Sequence, residues 1–186
     1  MKSLRNLRGQ PAAIPLLADD VLEFHAARLL LLLRVCGTKT RGTSLHRIDG
    51  LTKLAKLDFF VRYPQFLSKI LSPAPEAQSP RGVESSMIRF HYGPWDRRYY
   101  HVLAFLKSRG LLTAAKERTT VVLSLTSLGE TNADLIVAKA AFGQLVDHMR
   151  LVKKVLGERT GSQIKALVYN KFSKEVAERS IGEVIK

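Results

Sequence analysis

The stretch Met87–Leu125, MIRFHYGPWDRRYYHVLAFLKSRGLLTAAKERTTVVLSL, constrains the chain more than any other. A short apolar/polar alternation (Met87, Ile88, Arg89, Phe90) runs into Gly93-Pro94. A helix is expected from near Asp96 to Gly110, which gives a tight exit. Two β-rich runs follow, Leu111–Thr113 and Thr119–Leu125, joined by the charged tip Ala115-Lys116-Glu117-Arg118. The β-branched residues Thr119–Val122 suit a pleated, half-buried surface. Helix, glycine exit, strand, charged tip and strand make the pattern of a winged helix.

A chain of 186 residues has room for one domain, or a domain plus a helical extension. Its longest apolar run, Leu29–Leu33, is closed by Arg28 and Arg34. That is far below the roughly 20 residues that cross a bilayer, so no membrane partner is expected. The basic N-terminus has no sustained apolar segment after it and does not read as a signal peptide. Cys36 is the single cysteine. It rules out an internal disulfide and fits a reducing, cytoplasmic setting. The net charge of +14 is spread along the chain. Basicity distributed over a folded domain favours a polyanionic partner, most simply nucleic acid.

Residues 1–17 read as an irregular basic arm, with Pro11 and Pro15 blocking a helix. Asp19 or Asp20 is the expected cap of a helix over 19–36, with Gly37 in the left-handed conformation at its end. Thr38–Ser44 reads as a loop. A second helix over 50–62 presents Leu51, Leu54, Leu57 and Val61 on one face, extended by Phe59 and Phe60. Lys53, Lys56 and Arg62 fall elsewhere and are expected to stay solvated. Tyr63-Pro64 breaks this helix, and Pro64 begins another over 64–71. Residues 72–86 carry three of the seven prolines and form a loop. In the helix after Gly93-Pro94, Tyr99, Val102, Leu103, Phe105 and Leu106 can pack inward, and Trp95 can staple its start. Thr126 is the expected cap of one long helix over 127–156, with Gly129 and Gly143 as weak points. Its apolar stripe is expected to be buried by a second copy or another subunit. Ser162 is the expected cap of a last helix over 162–172. The expected class is mainly α with a small β-wing: a winged helix-turn-helix domain over 18–126 and a C-terminal helical extension over 127–186.

No phosphate-binding glycine loop or dinucleotide fingerprint is present. The five histidines (His25, His46, His91, His101, His148) show no metal-ligand spacing, and Asp58, Asp96 and Asp134 are scattered. The chain therefore reads as a non-enzyme without a catalytic, cofactor or metal site. The basic side chains Arg97, Arg98, His101 and Arg109 on the helix, with Lys116 and Arg118 at the tip, are the candidate DNA-binding residues. The helix lacks the Asn and Gln residues that read base edges. Phosphate contacts position a protein without reading sequence, so sequence-tolerant, salt-dependent contact with double-stranded DNA is expected. An acidic protein surface is the competing partner for the same face.

Three segments, GLTKLAKLDFFVRYPQFL (Gly50–Leu67), MIRFHYGPWDRRYYHVLAFLKSRGLL (Met87–Leu112) and FSKEVAERSIGEVI (Phe172–Ile185), resemble the middle component of bacterial ABC-three-component systems. The small subunit of Lamassu-type anti-phage and anti-plasmid complexes belongs to that group. The resemblance covers roughly residues 20–186. It implies a non-catalytic winged-helix subunit bridging an SMC/Rad50-like ATPase and a nuclease-type effector. It also implies that Leu57, Asp58, Arg62, Tyr63, Gly93, Pro94, Trp95, Asp96, Tyr99 and Tyr100 maintain the fold and the subunit contact. Candidates for that contact are Tyr63, Trp95, Tyr99 and Tyr100, with Phe142 and Met149 from the long stripe. The alternative is a stand-alone DNA-binding transcriptional regulator.

Overall fold

Residues 21–40, 42–71 and 86–185 are described by a computed structural model. The expected arm 1–17, the Asp19 or Asp20 cap and residues 72–85 of the expected loop lie outside them. The fold is mainly helical with a small antiparallel sheet. Helix α1 (Leu22–Cys36) is its central rod. Leu29 to Leu33 are all fully buried, because helices α4 to α6 and the sheet surround α1. Gly37 ends α1 in an extended conformation (φ −64°, ψ 161°), not the left-handed one expected.

The chain then makes two short strands that the sequence pattern did not reveal. These are β1 (Thr38–Lys39) and β2 (His46–Asp49), within and just after the expected loop. Helices α2 (Leu51–Arg62) and α3 (Pro64–Leu71) follow, broken at Tyr63-Pro64 as expected. Strands β3 (Ile88–Phe90) and β4 (Gly93–Trp95) pair as a separate two-stranded hairpin. Gly93-Pro94 thus lies inside a strand instead of breaking one. Proline is tolerated because β4 is an edge, where its missing donor costs no ladder bond.

Helix α4 (Tyr99–Ser108) turns out through Gly110 at φ +68°, a conformation glycine adopts without steric cost. Strands β5 (Leu112–Glu117) and β6 (Thr120–Leu125) form a longer hairpin than expected. Glu117 pairs with Thr120, so the tip is the two residues Arg118-Thr119, and Ala115 to Glu117 belong to the strand. Arg118 adopts φ +56°, as tight hairpin turns require. Strand β6 pairs with both β5 and β2, giving the sheet order β1-β2-β6-β5. Beyond Leu112, β5 is exposed along its length as the open edge of the sheet, while β6 beside it is partly to fully buried.

The expected single helix over 127–156 is two helices, α5 (Ser127–Val137) and α6 (Gly143–Leu156), with a 3-10 turn at Ala140–Phe142 between them. Thr126 caps α5 by accepting a hydrogen bond from the Gly129 backbone at 3.0 Å. Gly129 is not a weak point. A Cβ there would lie 1.9 Å from the Leu111 carbonyl oxygen, so only glycine lets the helix approach so closely. The break redirects the stripe into the chain's own core, where Val146, Met149, Val152 and Leu156 are buried. Leu128 and Leu135 of α5 and Leu151 of α6, from the same expected stripe, stay exposed, so the fold covers only part of it.

Helix α7 (Gly161–Lys171) is capped by Thr160 in a reciprocal capping box with Gln163, not by Ser162. One π-helical turn (Ser173–Ala177) leads to a tail that lies on β3. Its Ile185 amide donates to the Met87 carbonyl at 2.8 Å. One hydrophobic cluster runs from Ala26 through Ile185, so the expected boundary between residues 126 and 127 passes through a shared core.

Candidate nucleic-acid and partner interface

The start of α4 is fixed by a buried charge network joining three helices. On α1, Arg28 Nε donates to Asp58 Oδ1 of α2 at 2.9 Å. Tyr99 of α4 donates its hydroxyl proton to Asp58 Oδ2 at 2.7 Å. Arg62 lies one turn along α2 from Asp58 and donates to Asp96 Oδ2 at 2.7 Å. Asp96 also accepts from the backbone N, Nε and Nη2 of Arg98, each at 2.9 Å. The remaining reach of Arg98 brings its Nη1 to 2.9 Å from His25 Nε2, while Arg28 Nη1 stands 2.9 Å from His25 Nδ1. Arg28, Asp58, Arg62 and Asp96 are all buried.

Burial alone disfavours a charged carboxylate. It opposes ionisation of Asp96, yet Arg98 and Arg62 hold its carboxyl well below the usual carboxylate range. Burial likewise opposes the Arg62 charge, but Asp58, Tyr99 and Asp96 outweigh it and raise its pKa. The Tyr99 hydroxyl is pushed far up, first by burial and then by Asp58. The LDFFVRYP and YGPWDRRYY blocks thus meet as the two halves of one electrostatic junction.

Other basic side chains are also used internally. Arg62 is buried and Lys56 is 1% exposed, so neither stays solvated as expected. Lys56 Nζ donates to the Pro94 carbonyl at 3.0 Å, tying α2 to β4. Burial, then repulsion from Lys165, pushes the Lys56 amine down to about 7. Lys53 and Lys153 donate to the carbonyls of Gly157 and Gly37 at the ends of α6 and α1. There they satisfy groups that a helix C-terminus leaves without partners. Cys36 donates its thiol proton to the Met149 carbonyl, and burial pushes the thiol up to about 12. It is an unreactive packing residue.

The remaining predicted residues divide by exposure. Arg97, His101, Arg109, Lys116 and Arg118 are exposed, on α4, its flanks and the long hairpin. Arg98, expected beside them, is instead drawn inward to Asp96 and His25. Of the partner-contact candidates, Tyr63, Tyr99 and Met149 are core residues at 8%, 1% and 0% exposure, so they cannot face a partner in this fold. Tyr63 is held by accepting from the Met87 amide and donating to the Ile185 carbonyl. Phe142 and Trp95 are half-buried, and Tyr100 is exposed.

Two aromatic side chains outside those candidates, Phe90 and Tyr92, gather near Trp95 and Tyr100. Phe90, Tyr92 and Tyr100 are among the exposed large apolar residues, with Tyr169 alongside. Phe90 and Tyr92 were discoverable, since an aromatic alternating through the RFHYGPW segment of a hairpin must put some rings outside. Among the described residues, no three His, Cys, Asp or Glu side chains are grouped to hold a metal ion. No described helix is long and apolar enough to cross a membrane. No family model matches the chain, and no curated protein matches it.

Proposed function

We propose that the chain is a non-catalytic winged-helix subunit that lays α4 and the β5–β6 hairpin along the backbone of double-stranded DNA. The observation that carries this reading is the order of elements. Helix α1, strand β2, helix α2, helix α4 and strands β5 and β6 occur in that order, with β1, α3 and the β3–β4 hairpin between them, and β2 pairs with β6. That order is compatible with a winged helix in which the β3–β4 hairpin precedes the helix that would meet the groove. Arg97, His101, Arg109, Lys116 and Arg118 supply the exposed positive charge for phosphate contact.

The resemblance of the three segments extends the reading to an SMC/Rad50-like ATPase complex in anti-phage or anti-plasmid defence. There the chain would bridge the ATPase and a nuclease-type effector. The buried junction supports this in one respect: Asp58, Arg62, Asp96 and Tyr99 of the matched blocks bond to one another, so the blocks act as one unit. Co-expression with the neighbouring genes tests the complex. The expected result is co-purification with an ATPase bearing a long coiled coil; a chain that purifies alone ends that part of the proposal. A second reading, a stand-alone DNA-binding regulator, is favoured by the internal burial of the α6 stripe. It predicts tighter binding to the chain's own promoter than to random duplex.

A further inference from the structure

A cleft runs beside the first turn of α2, and the proposed duplex-contacting face does not use it. One half is an apolar groove of about 220 Å³, walled by Phe90, Tyr92, Trp95 and Tyr100, with Lys56 among its lining residues. The other half is a polar cavity of about 490 Å³ with Lys53, Arg159 and Lys165 in its wall. Tyr92 and Thr52 line both halves, so the two adjoin.

The aromatic half is a surface of rings left open. Tyr92 is 59% exposed and Tyr100 is 65% exposed. Trp95 is held by an edge contact with Tyr99 (centroids 5.0 Å, planes at 87°), and its ring is 5.8 Å from Tyr100 and 6.1 Å from Phe90. A planar group with two open faces suits such rings better than a branched side chain does. The polar half carries the charge. Lys165 Nζ stands 4.7 Å above the Tyr92 ring, at the junction of the halves. Asp49 and Glu158 also line the cavity, but Arg47 holds Asp49 at 3.1 Å. Lys53, Arg159 and Lys165 outnumber the two carboxylates, both of which act on Lys53, and on a chain of +14 the remaining positive charge favours an anionic occupant.

We propose that this cleft takes a short single-stranded nucleic-acid segment, with bases on Tyr92, Trp95 and Tyr100 and the adjoining phosphates beside Lys165 and Arg159. Stacking on exposed aromatics combined with a basic track is how sequence-tolerant single-strand sites are built. Lys56 Nζ gives one proton to Pro94 and, whether charged or neutral, keeps at least one more, so its place in the groove wall suits a base carbonyl oxygen. A pyrimidine presents two such oxygens when it is thymine, which makes an oligothymidylate the probe of choice.

Trp95 is the only tryptophan, so its fluorescence reports on the groove directly. The full chain is titrated with a deoxythymidine oligonucleotide of about ten nucleotides. A duplex of equal length and a polyglutamate peptide serve as the two comparisons. Saturable quenching of Trp95 by the single strand is expected. The variant Tyr92→Ala/Tyr100→Ala, and Tyr100→Ala alone, should weaken single-strand binding by about five- to a hundredfold, as one or two lost stacking contacts predict. Duplex binding should hold within about twofold, with an unchanged circular dichroism spectrum. The variant Lys116→Glu/Arg118→Glu should do the reverse, so the two surfaces succeed or fail separately. The proposal is overturned by an absence of quenching. Equal loss of single-strand and duplex binding in the aromatic variants also overturns it. So does polyglutamate that quenches Trp95 and displaces the oligonucleotide, which would make the groove a site for acidic peptides.

Discussion

Two arginine-rich regions meet at the start of α4, and they differ in what surrounds them. In one, Arg28 and Arg62 are buried against Asp58 and Asp96 and fix three helices to one another. In the other, Arg97, Arg109 and Arg118 stand in solvent. Arg98 belongs to the first region although it follows Arg97 directly. A charge taken out of water must be compensated in place, so the inner arginines are committed to specific carboxylates. The outer ones remain hydrated and can exchange water and counterions for phosphate. Residue type is shared; burial decides whether a guanidinium holds the fold or serves a partner.

The comparison breaks most readily at Asp58. Replacing it by Ala leaves Arg28 and the Tyr99 hydroxyl without their shared acceptor. The expected loss is about 3–5 kcal/mol of unfolding free energy, measured by urea denaturation. A loss under about 1 kcal/mol would mean that the junction does not hold the helices together.

Lys56 sharpens the same contrast through pH. Its amine titrates near 7 in the folded chain against 10.5 when free. Between those values the unfolded chain binds a proton that the folded chain does not, so stability rises with pH across that window. Thermal unfolding should shift upward from neutral to mildly alkaline pH, and Lys56→Met should abolish the shift. Asp96 contributes in the opposite range. Its depressed pKa gives stability that is present above the ordinary carboxylate range and lost as the solution is made strongly acid.

On the outer region, Arg97→Glu/Arg109→Glu should weaken duplex binding uniformly across sequences. The slope of log affinity against log salt should fall by about one for each phosphate contact removed. Stability should change by no more than about 0.5 kcal/mol. Arg98→Glu should behave differently, lowering stability because it sets a second carboxylate beside Asp96. Similar unfolding curves for Arg97→Glu and Arg98→Glu would erase the distinction between the two regions. The smallest expected effect is at the cap of α7: Thr160→Ala removes the hydroxyl that accepts from the Gln163 amide, one half of the capping box, and should cost about 1 kcal/mol by chemical denaturation.

The helices and the long hairpin were legible because each is written locally. Tyr63-Pro64, Gly110 and Thr126 mark their boundaries, and Tyr99, Val102, Leu103 and Leu106 repeat at helical spacing. Strands β1 and β2 were not legible. Two and four residues are too few to show alternation, and β2 exists because β6 offers it a partner. The break after Val137 was equally hidden, since the apolar stripe continues through it. Of the six basic candidate residues, all but Arg98 lie exposed on the surface. The aromatic cleft was missed because its walls come from α2, β3, β4 and α4, which only folding brings together.

By itself the sequence determined the mainly helical class, the positions of most helix ends, the long hairpin and the basic character of its surroundings. These follow from propensities, caps and turns that act over a few residues. The tertiary structure alone decided which charges are interior. Arg28 and Asp58 are thirty residues apart, and Arg62 and Asp96 are thirty-four. No periodic pattern marks such a pair, because its stability depends on desolvating both members together and on the geometry of their contact. The same long-range packing turned Val146, Met149 and Val152 of the expected stripe inward and left Leu128 and Leu135, with the rings of Tyr92 and Tyr100, outside.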